Sequence, residues 1–330
     1  MAPPTITDTA PILSVSDLTT VFSLQTGRAV SVNGVSFDVA PGEILAIVGE
    51  SGSGKTVTGL SLMGLVDPPG RVEKGSVRLR GRELVGLQED EMRALRGREV
   101  AMIFQDPMTT LNPVLTIGRQ FYEVMRAHKR LTWKEAMARA EKALVEVGMP
   151  APAARLATYP HELSGGMRQR VCIALSLVNA PSLVIADEPT TALDVTIQAQ
   201  ILALMHRLVR KTGVALIWIT HDLSVAAGFC DRIAVMYAGR IVEEGPVDAV
   251  LNHPAHPYTV GLLRSIPGEV PPGGKLEQIG GMPPSPLALP EGCAFRPRCF
   301  RADKTCLSDP PVTPIGKGRQ VRCFHPMGAA

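Results

Sequence analysis

The sequence predicts an α/β fold organised around a phosphate-binding loop, and three stretches predict it. Gly49-Glu50-Ser51-Gly52-Ser53-Gly54-Lys55-Thr56 fits G-x-x-x-x-G-K-[ST], directly after the apolar run Ile44 to Val48 and before a helix expected from Thr56 to Met63. The apolar run Leu183 to Ala186 ends in two adjacent carboxylates, Asp187 and Glu188. Val214 to Ile219 reads as a further buried strand and delivers Thr220-His221-Asp222. Strand, glycine loop and helix in that order make a cradle. Gly49, Gly52 and Gly54 let backbone N–H groups, with those of Ser51 and Ser53, wrap a phosphate. Lys55 reaches its terminal oxygens, and the Thr56 hydroxyl can ligate Mg²⁺ where the helix begins.

Composition narrows the class. The 330 residues, 45% hydrophobic, suffice for one large α/β domain with an appendage or for two modest domains. Aromatic residues make up only 4%, so stacking platforms for single-stranded nucleic acid are poorly supplied. A net charge of +3 argues neither for nucleic acid nor for an acidic membrane surface. The longest apolar runs are strand-sized, far short of a bilayer span. Met1 to Ala10 lacks a basic stretch followed by an apolar one, so a cytoplasmic location is expected.

Taken in order, Ile12 to Val15 and Val30 to Val39 read as strands about a turn at Gln25-Thr26-Gly27. Phe22, just before that turn, is either a half-buried strand residue or a plate for an adenine ring. Pro41-Gly42 turns the chain into the Ile44 strand, and Gly75 to Arg80 is a short strand beyond the loop Asp67 to Gly70. Glu89 to Leu95 is helix-like, and Val100 to Phe104 is a strand that ends at Gln105, followed by a turn-rich loop from Met108 to Pro113. Gln105 is either a surface residue or one whose amide lies beside a nucleotide-bound Mg²⁺ and its attacking water. Thr132-x-x-Glu135 is a capping box for an amphipathic helix that Gly148 stops, so a helical lobe separate from the sheet is expected between Arg93 and Pro160.

Leu163-Ser164-Gly165-Gly166-Met167-Arg168-Gln169 precedes the helix Val171 to Val178. Two glycines there bare backbone N–H groups and Ser164 adds a hydroxyl, so this stretch is a second phosphate-binding candidate or a plain helix start. A strand ending in Asp187 beside a phosphate loop serves Mg²⁺, and Glu188 can orient or deprotonate water. Asp194 is an N-cap for the helix containing Ile197, Ile201 and Leu204. His221 falls where the ends of parallel strands converge on a ligand. Ile233 to Tyr237 and Ile241-Val242 are expected as closing strands about Ala238-Gly239.

In this order the motifs resemble the nucleotide-binding subunit of an ABC transporter over residues 12 to 250. The resemblance implies a P-loop NTPase (RecA-like) core, with ATP and Mg²⁺ as substrate and cofactor. It casts Phe22 as the adenine-stacking residue, Gln105 as the Q-loop, Ser164 to Gln169 as the signature and Asp187 as the Walker B aspartate. It casts Glu188 as catalytic base, Asp194 as the D-loop and His221 as the switch histidine. Gln105-Asp106-Pro107-Met108-Thr109-Thr110-Leu111-Asn112-Pro113, His256-Pro257-Tyr258-Thr259 and Gly292-Cys293-x-Phe295-x-Pro297-Arg298-Cys299 are similar to the peptide/nickel importers, specifically the D-type ATPase of oligopeptide or dipeptide permeases.

In that family two such subunits close head to tail on two ATP molecules, each held between one phosphate loop and the other's signature. The resemblance therefore implies a paralogous ATPase partner, two integral membrane permeases and an extracytoplasmic binding protein, at the cytoplasmic face of the inner membrane, with no nucleic acid. The cargo implied is a dipeptide or oligopeptide, with nickel or glutathione-like cargo as the alternative; a soluble ABC ATPase is the remaining one. The implied division is 1–92 with 169–266 as ATP-binding core, 93–168 as helical subdomain with the signature, and 267–330 as a C-terminal extension.

Pro271 to Gly274 and Pro283 to Pro286 mark a linker-like region. Cys293, Cys299, Cys306 and Cys323 follow. Four thiolates fit a [4Fe–4S] cluster or a Zn²⁺ site, or stand as free or disulfide thiols, and the spacing is neither the ferredoxin one nor paired C-x₂-C knuckles. Similarity to D-type subunits favours the cluster. Cys172 and Cys230 sit in apolar contexts and are expected in the core.

Overall fold

Val and Thr recur between Leu13 and Val39, and the fold begins there as an antiparallel sheet. The computed structural model describes residues 10–191, 193–265, 278–316 and 318–328. By contact the chain forms two units, Met1–Gly86 with Ile219–Ala330, and Leu87–Trp218.

In the first unit β1 (Leu13–Leu24) pairs antiparallel with β2 (Gly27–Val39). Leu18, Val21, Val32, Val35 and Val39 are buried, and so are Thr19 and Thr20 between them, the Thr20 hydroxyl lying 2.7 Å from that of Ser61. Strand β3 (Ile44–Val48) is buried at all five positions, which is why it reads as an unbroken apolar run. It feeds α1 (Lys55–Leu62), one residue earlier than the sequence suggests. Strand β4 (Gly70–Leu79) starts at the glycine expected to close a loop, and pairs with β1 across an irregular register before β5 (Arg82–Glu83) completes the order β2-β1-β4-β5.

The second unit holds α2 (Glu89–Leu95), β6 (Val100–Ile103), a four-residue α3 (Pro107–Thr110), α4 (Ile117–Arg126), α5 (Trp133–Glu146), α6 (Pro152–Arg155), α7 (Gly165–Leu177), β7 (Leu183–Asp187), α8 (Val195–Thr212) and most of β8 (Ala215–Thr220). Here β6 and β7 run parallel, in the order β8-β7-β6. The capping box forms as the sequence predicts: the Thr132 hydroxyl accepts from the Glu135 N–H at 3.3 Å and the Glu135 carboxylate accepts from the Thr132 N–H at 2.8 Å. Ala136, Ala140 and Leu144 make the buried face of α5. Helices α3, α4 and α6 form where the sequence shows no individual helix signal. The turn-rich stretch after Gln105 folds as α3, capped by Asp106, and α4 is capped by Thr116 and buries Ile117, Phe121 and Met125. Contact joins 169–218 to the helices from Leu87 onward, because α7 packs on α3, α4 and α5 as well as on β6. That line differs from the motif-based division at 168/169.

Back in the first unit come α9 (Leu223–Phe229), β9 (Arg232–Tyr237), β10 (Arg240–Pro246), α10 (Val247–Asn252) and α11 (Pro257–Arg264). β9 pairs parallel with β3 and antiparallel with β10. The Pro271 to Gly274 part of the expected linker lies outside the described residues. The cysteine-bearing end contains two short 3₁₀ turns and a hairpin, β11 (Val312–Gly316) and β12 (Arg319–Arg322), and β12 pairs with β10. Cys172 and Cys230 are buried, as their contexts predict; burial pushes the Cys172 thiol up to about 12.

Candidate functional site

The phosphate loop of the first unit closes on itself. Lys55, only 5% exposed, donates from Nζ to the carbonyls of Gly49 at 2.9 Å and Glu50 at 3.0 Å. Gly54 has φ of 101°, and a Cβ there would lie 2.2 Å from the Ser31 carbonyl oxygen, so only glycine fits. Ser51, Gly52 and Thr56 are exposed, whereas the Ser53 hydroxyl is buried and has no hydrogen-bond partner among the described residues. An orphaned buried hydroxyl within a glycine loop at a helix start fits an anion's oxygen. Phe22 is half-buried on β1 opposite Ala29 and Gly70, and the missing Cβ of Gly70 makes room for its ring. His221 is exposed just past β8, before Asp222, whose carboxylate accepts from the Ser224 N–H at 2.9 Å and caps α9.

The second unit assembles a separate group. β7 ends at Asp187, which is 3% exposed. The next residue, Glu188, takes a left-handed backbone with φ of 43°, uncommon for a side chain of this size and a mark of functional positions. Its Oε2 accepts from the Thr191 hydroxyl at 3.0 Å, and the Gln105 amide nitrogen lies 3.5 Å away. The structure thus brings Gln105 and Glu188 together across 83 residues of sequence.

Ser164 is the N-cap of α7, its hydroxyl accepting from the Met167 N–H at 3.4 Å. Asp194 caps α8, accepting from the Ile197 N–H at 2.9 Å. The two helix starts meet: a Cβ on Gly166 would lie 2.8 Å from Ile197 Cγ2, and on Gly165 3.6 Å from Leu193. Gln169 is 1% exposed and its amide nitrogen has no partner among the described residues.

Cys293, Cys299, Cys306 and Cys323 line one small cavity with Phe295 and His325. The Cys293 N–H donates to the Cys306 carbonyl at 3.0 Å. Sulfur atoms of Cys299 and Cys323 accept from the N–H groups of Arg301 at 3.4 Å and His325 at 3.3 Å, the kind of bond that steadies a thiolate. Burial pushes the Cys323 thiol up to about 11, and the neighbouring cysteines push the same way. A cation among them would reverse that direction, because a coordinated thiol is deprotonated. Four soft donors around one cavity are the ligand type that a [4Fe–4S] cluster or Zn²⁺ takes, without three of these sulfurs lying within 4.8 Å of one another among the described residues. Asp303, Cys306 and His325 also place one ligand atom each within 4.8 Å of one another, a grouping that the cysteine spacing did not reveal.

The stretch His256-Pro257-Tyr258-Thr259 also reaches the phosphate loop. His256 caps α11, accepting at Nδ1 from the Tyr258 N–H at 3.0 Å. The Tyr258 hydroxyl accepts from the Glu50 N–H of the phosphate loop at 2.9 Å. Arg298, next to Cys299, grips Glu50 itself.

Cradle, buried aspartate, strained glutamate and serine-capped glycine helix define a P-loop ATPase with the ABC cassette fold. The sequence profile described as ABC transporter matches residues 32–191, and that of the oligopeptide/dipeptide transporter C-terminal region matches 242–306. The oligopeptide transport ATP-binding protein OppD of Escherichia coli is 48% identical over 96% of this chain and 94% of its own. A putative peptide import ATP-binding protein of Brucella melitensis is 49% identical over 96% and 97%. Among solved structures, the dimeric bacterial ABC transporter cassette MJ0796 superimposes with a TM-score of 0.64 at 26% identity, over 71% of this chain and 98% of that one. The chain belongs to the ABC transporter family, in its oligopeptide/dipeptide branch.

Proposed function

We propose that the chain is the ATP-hydrolysing subunit that energises import of dipeptides or oligopeptides through a membrane ABC transporter. The observation that carries the hydrolytic part is Glu188, presented by a left-handed backbone directly after a buried aspartate and within reach of Gln105. The near-full-length likeness to proteins named for peptide transport supports the cargo class.

In this reading Gly49 and Ser51 to Thr56 bind the phosphates, with Lys55 on the terminal one and Phe22 against the adenine. Thr56, Asp187 and Gln105 are the residues that would hold Mg²⁺, which would supply neutralisation of the developing phosphate charge. Glu188 takes the proton of the attacking water, and Gln105 and His221 orient water and γ-phosphate. Ser164, Gly165, Gly166, Gln169 and Asp194 serve the nucleotide of the partner subunit: a serine-capped helix start bares N–H groups that fit a terminal phosphate across a head-to-tail interface. Closure on ATP and opening after hydrolysis then drive two membrane permeases, with a paralogous ATPase opposite and an extracytoplasmic binding protein delivering the peptide. The subunit works at the cytoplasmic face of the membrane as a peripheral protein; no helix among the described residues is long and apolar enough to cross one. By role, 1–92 and 169–266 form the nucleotide core, 93–168 the helical lobe and 267–330 the extension.

Cys293, Cys299, Cys306 and Cys323 hold a [4Fe–4S] cluster in this reading. Anaerobic purification with the membrane partners, assayed for iron, acid-labile sulfide and zinc, tests the tail. About four irons with matching sulfide per chain support the cluster; zinc alone makes the site a structural clasp. Reconstituted in lipid vesicles with the permeases and binding protein, the complex should accumulate di- or oligopeptide in an ATP-dependent way. Uptake of nickel or glutathione-like cargo in place of peptides would change the cargo, and failure to co-purify with any membrane protein would overturn the transporter reading.

A further inference from the structure

Arg298 is the most completely engaged guanidinium in the cysteine-bearing extension. Two of its nitrogens make a fork on the Glu50 carboxylate at 2.7 Å and 3.0 Å, and Nε donates to the Gly280 carbonyl at 2.9 Å. Its remaining contacts are the Ile279 carbonyl at 3.3 Å and the Tyr237 hydroxyl at 3.4 Å, with the rings of Tyr237 and Phe295 beneath the guanidinium. The side chain is 4% exposed and that of Glu50 26%, so the pair is largely removed from water. Glu50 is the second residue of the phosphate loop, and its own N–H is spent on the Tyr258 hydroxyl rather than left for a ligand. The outer end of the loop is therefore pinned twice from the C-terminal part of the chain.

A carboxylate in a phosphate cradle is a like charge beside the anion the cradle must hold. Built into the loop without a counter-charge, Glu50 would repel a nucleotide triphosphate. We propose that Arg298 is a positioning residue of the nucleotide site: it neutralises Glu50, holds it away from the cradle, and so makes nucleotide affinity depend on the cysteine-bearing extension. Arg suits the task where Lys would not, because its planar fork meets both carboxylate oxygens and stacks on Tyr237 and Phe295. The proposal rests on the nucleotide-binding reading of the loop.

The experiment measures ATP affinity of the full chain by calorimetry, with steady-state KM and kcat and the metal content of each preparation. Arg298→Ala should raise Kd and KM for ATP by roughly tenfold, the scale of one uncompensated charge near a polyanion at an effective dielectric of about 20, with kcat within about twofold. Adding Glu50→Gln to Arg298→Ala should bring Kd back to within about twofold of the starting chain. A denaturant melt of each variant separates that rescue from repair of a loosened fold, which would lower the midpoint of Arg298→Ala as well. Wild-type affinity in Arg298→Ala, or a double variant as weak as the single, would overturn the proposal. Should Arg298→Ala not fold, Glu50→Gln with Arg298→Met, which removes both charges and keeps the side-chain bulk, carries the test. Near-normal affinity supports the proposal and a tenfold loss refutes it. ATP binding retained by Lys55→Ala, or absent from the unaltered chain, would instead refute the nucleotide reading itself.

Discussion

Replacing Glu188 by Gln changes one atom of the side chain and should separate chemistry from fold. The Thr191 hydroxyl, 3.0 Å from Oε2, can turn to serve either an amide oxygen or an amide nitrogen, and the backbone at φ 43° keeps the same side-chain volume. The stability change should therefore stay within about 0.5 kcal/mol, the range of a substitution that breaks no buried contact. What disappears is the proton acceptor. General-base catalysis contributes about 10² to 10⁴ in rate, or roughly 2.7 to 5.5 kcal/mol of barrier, so turnover should fall by that factor while ATP binding persists. In the proposed cycle closure on ATP precedes hydrolysis, so the variant should also accumulate as a closed, nucleotide-loaded assembly. Phosphate release at saturating ATP, read beside ATP affinity and a denaturant melt, measures all three. Turnover within about threefold of the unaltered protein would refute Glu188 as base, and a large loss of stability would show that the strained turn depends on the carboxylate charge.

Three further outcomes are expected. Gly54→Ala should cost about 2 to 4 kcal/mol in urea unfolding and abolish ATP binding, since its Cβ would sit 2.2 Å from the Ser31 carbonyl at a φ of 101°; an unchanged urea midpoint would contradict the close approach. Burial pulls the His256 imidazole down to about 3, so its contribution is complete above the unfolded value of about 6.5 and is lost as pH falls from there towards 3. Unfolding curves at pH 7.5 and 5 should differ by about 2 kcal/mol from this group, and His256→Asn, which keeps an acceptor for the Tyr258 N–H, should remove that share. Thr132→Ala should cost about 1 kcal/mol by breaking the capping box of α5, measured by thermal melt, and leave ATP affinity alone.

Local signals carried the reading furthest. The continuous apolar runs of β3 and β7, the glycine loop, the Thr132 box and the Asp194 cap all depend on neighbours within a few residues, and each folds where the sequence placed it. Helix α4 escaped notice because Thr116 caps it without a nearby acid to complete a box. The hairpin of β11 and β12 escaped because its strands are short and polar, with exposed Val312, Thr313 and Pro314, and so show no two-residue alternation. The Arg298 fork on Glu50 spans 248 positions, and no periodicity or spacing can indicate such a pair. Convergence of the four cysteines was legible in their crowding; the nearness of Asp303 and His325 required the fold.

The pairing of β12 with β10 at Glu243 and Glu244 has a consequence for how the protein is made. A strand without its neighbour is a template for other chains, and β10 gains that neighbour only when residues 319–322 have been synthesised. Until then the nascent chain carries an open ladder edge along β10. After docking, the outermost strand is β11, five residues long and interrupted by Pro314, which is a poor template for adding another strand. Shortening the chain from its C-terminus should thus show first as aggregation during expression, before any loss of nucleotide chemistry in the material that stays in solution.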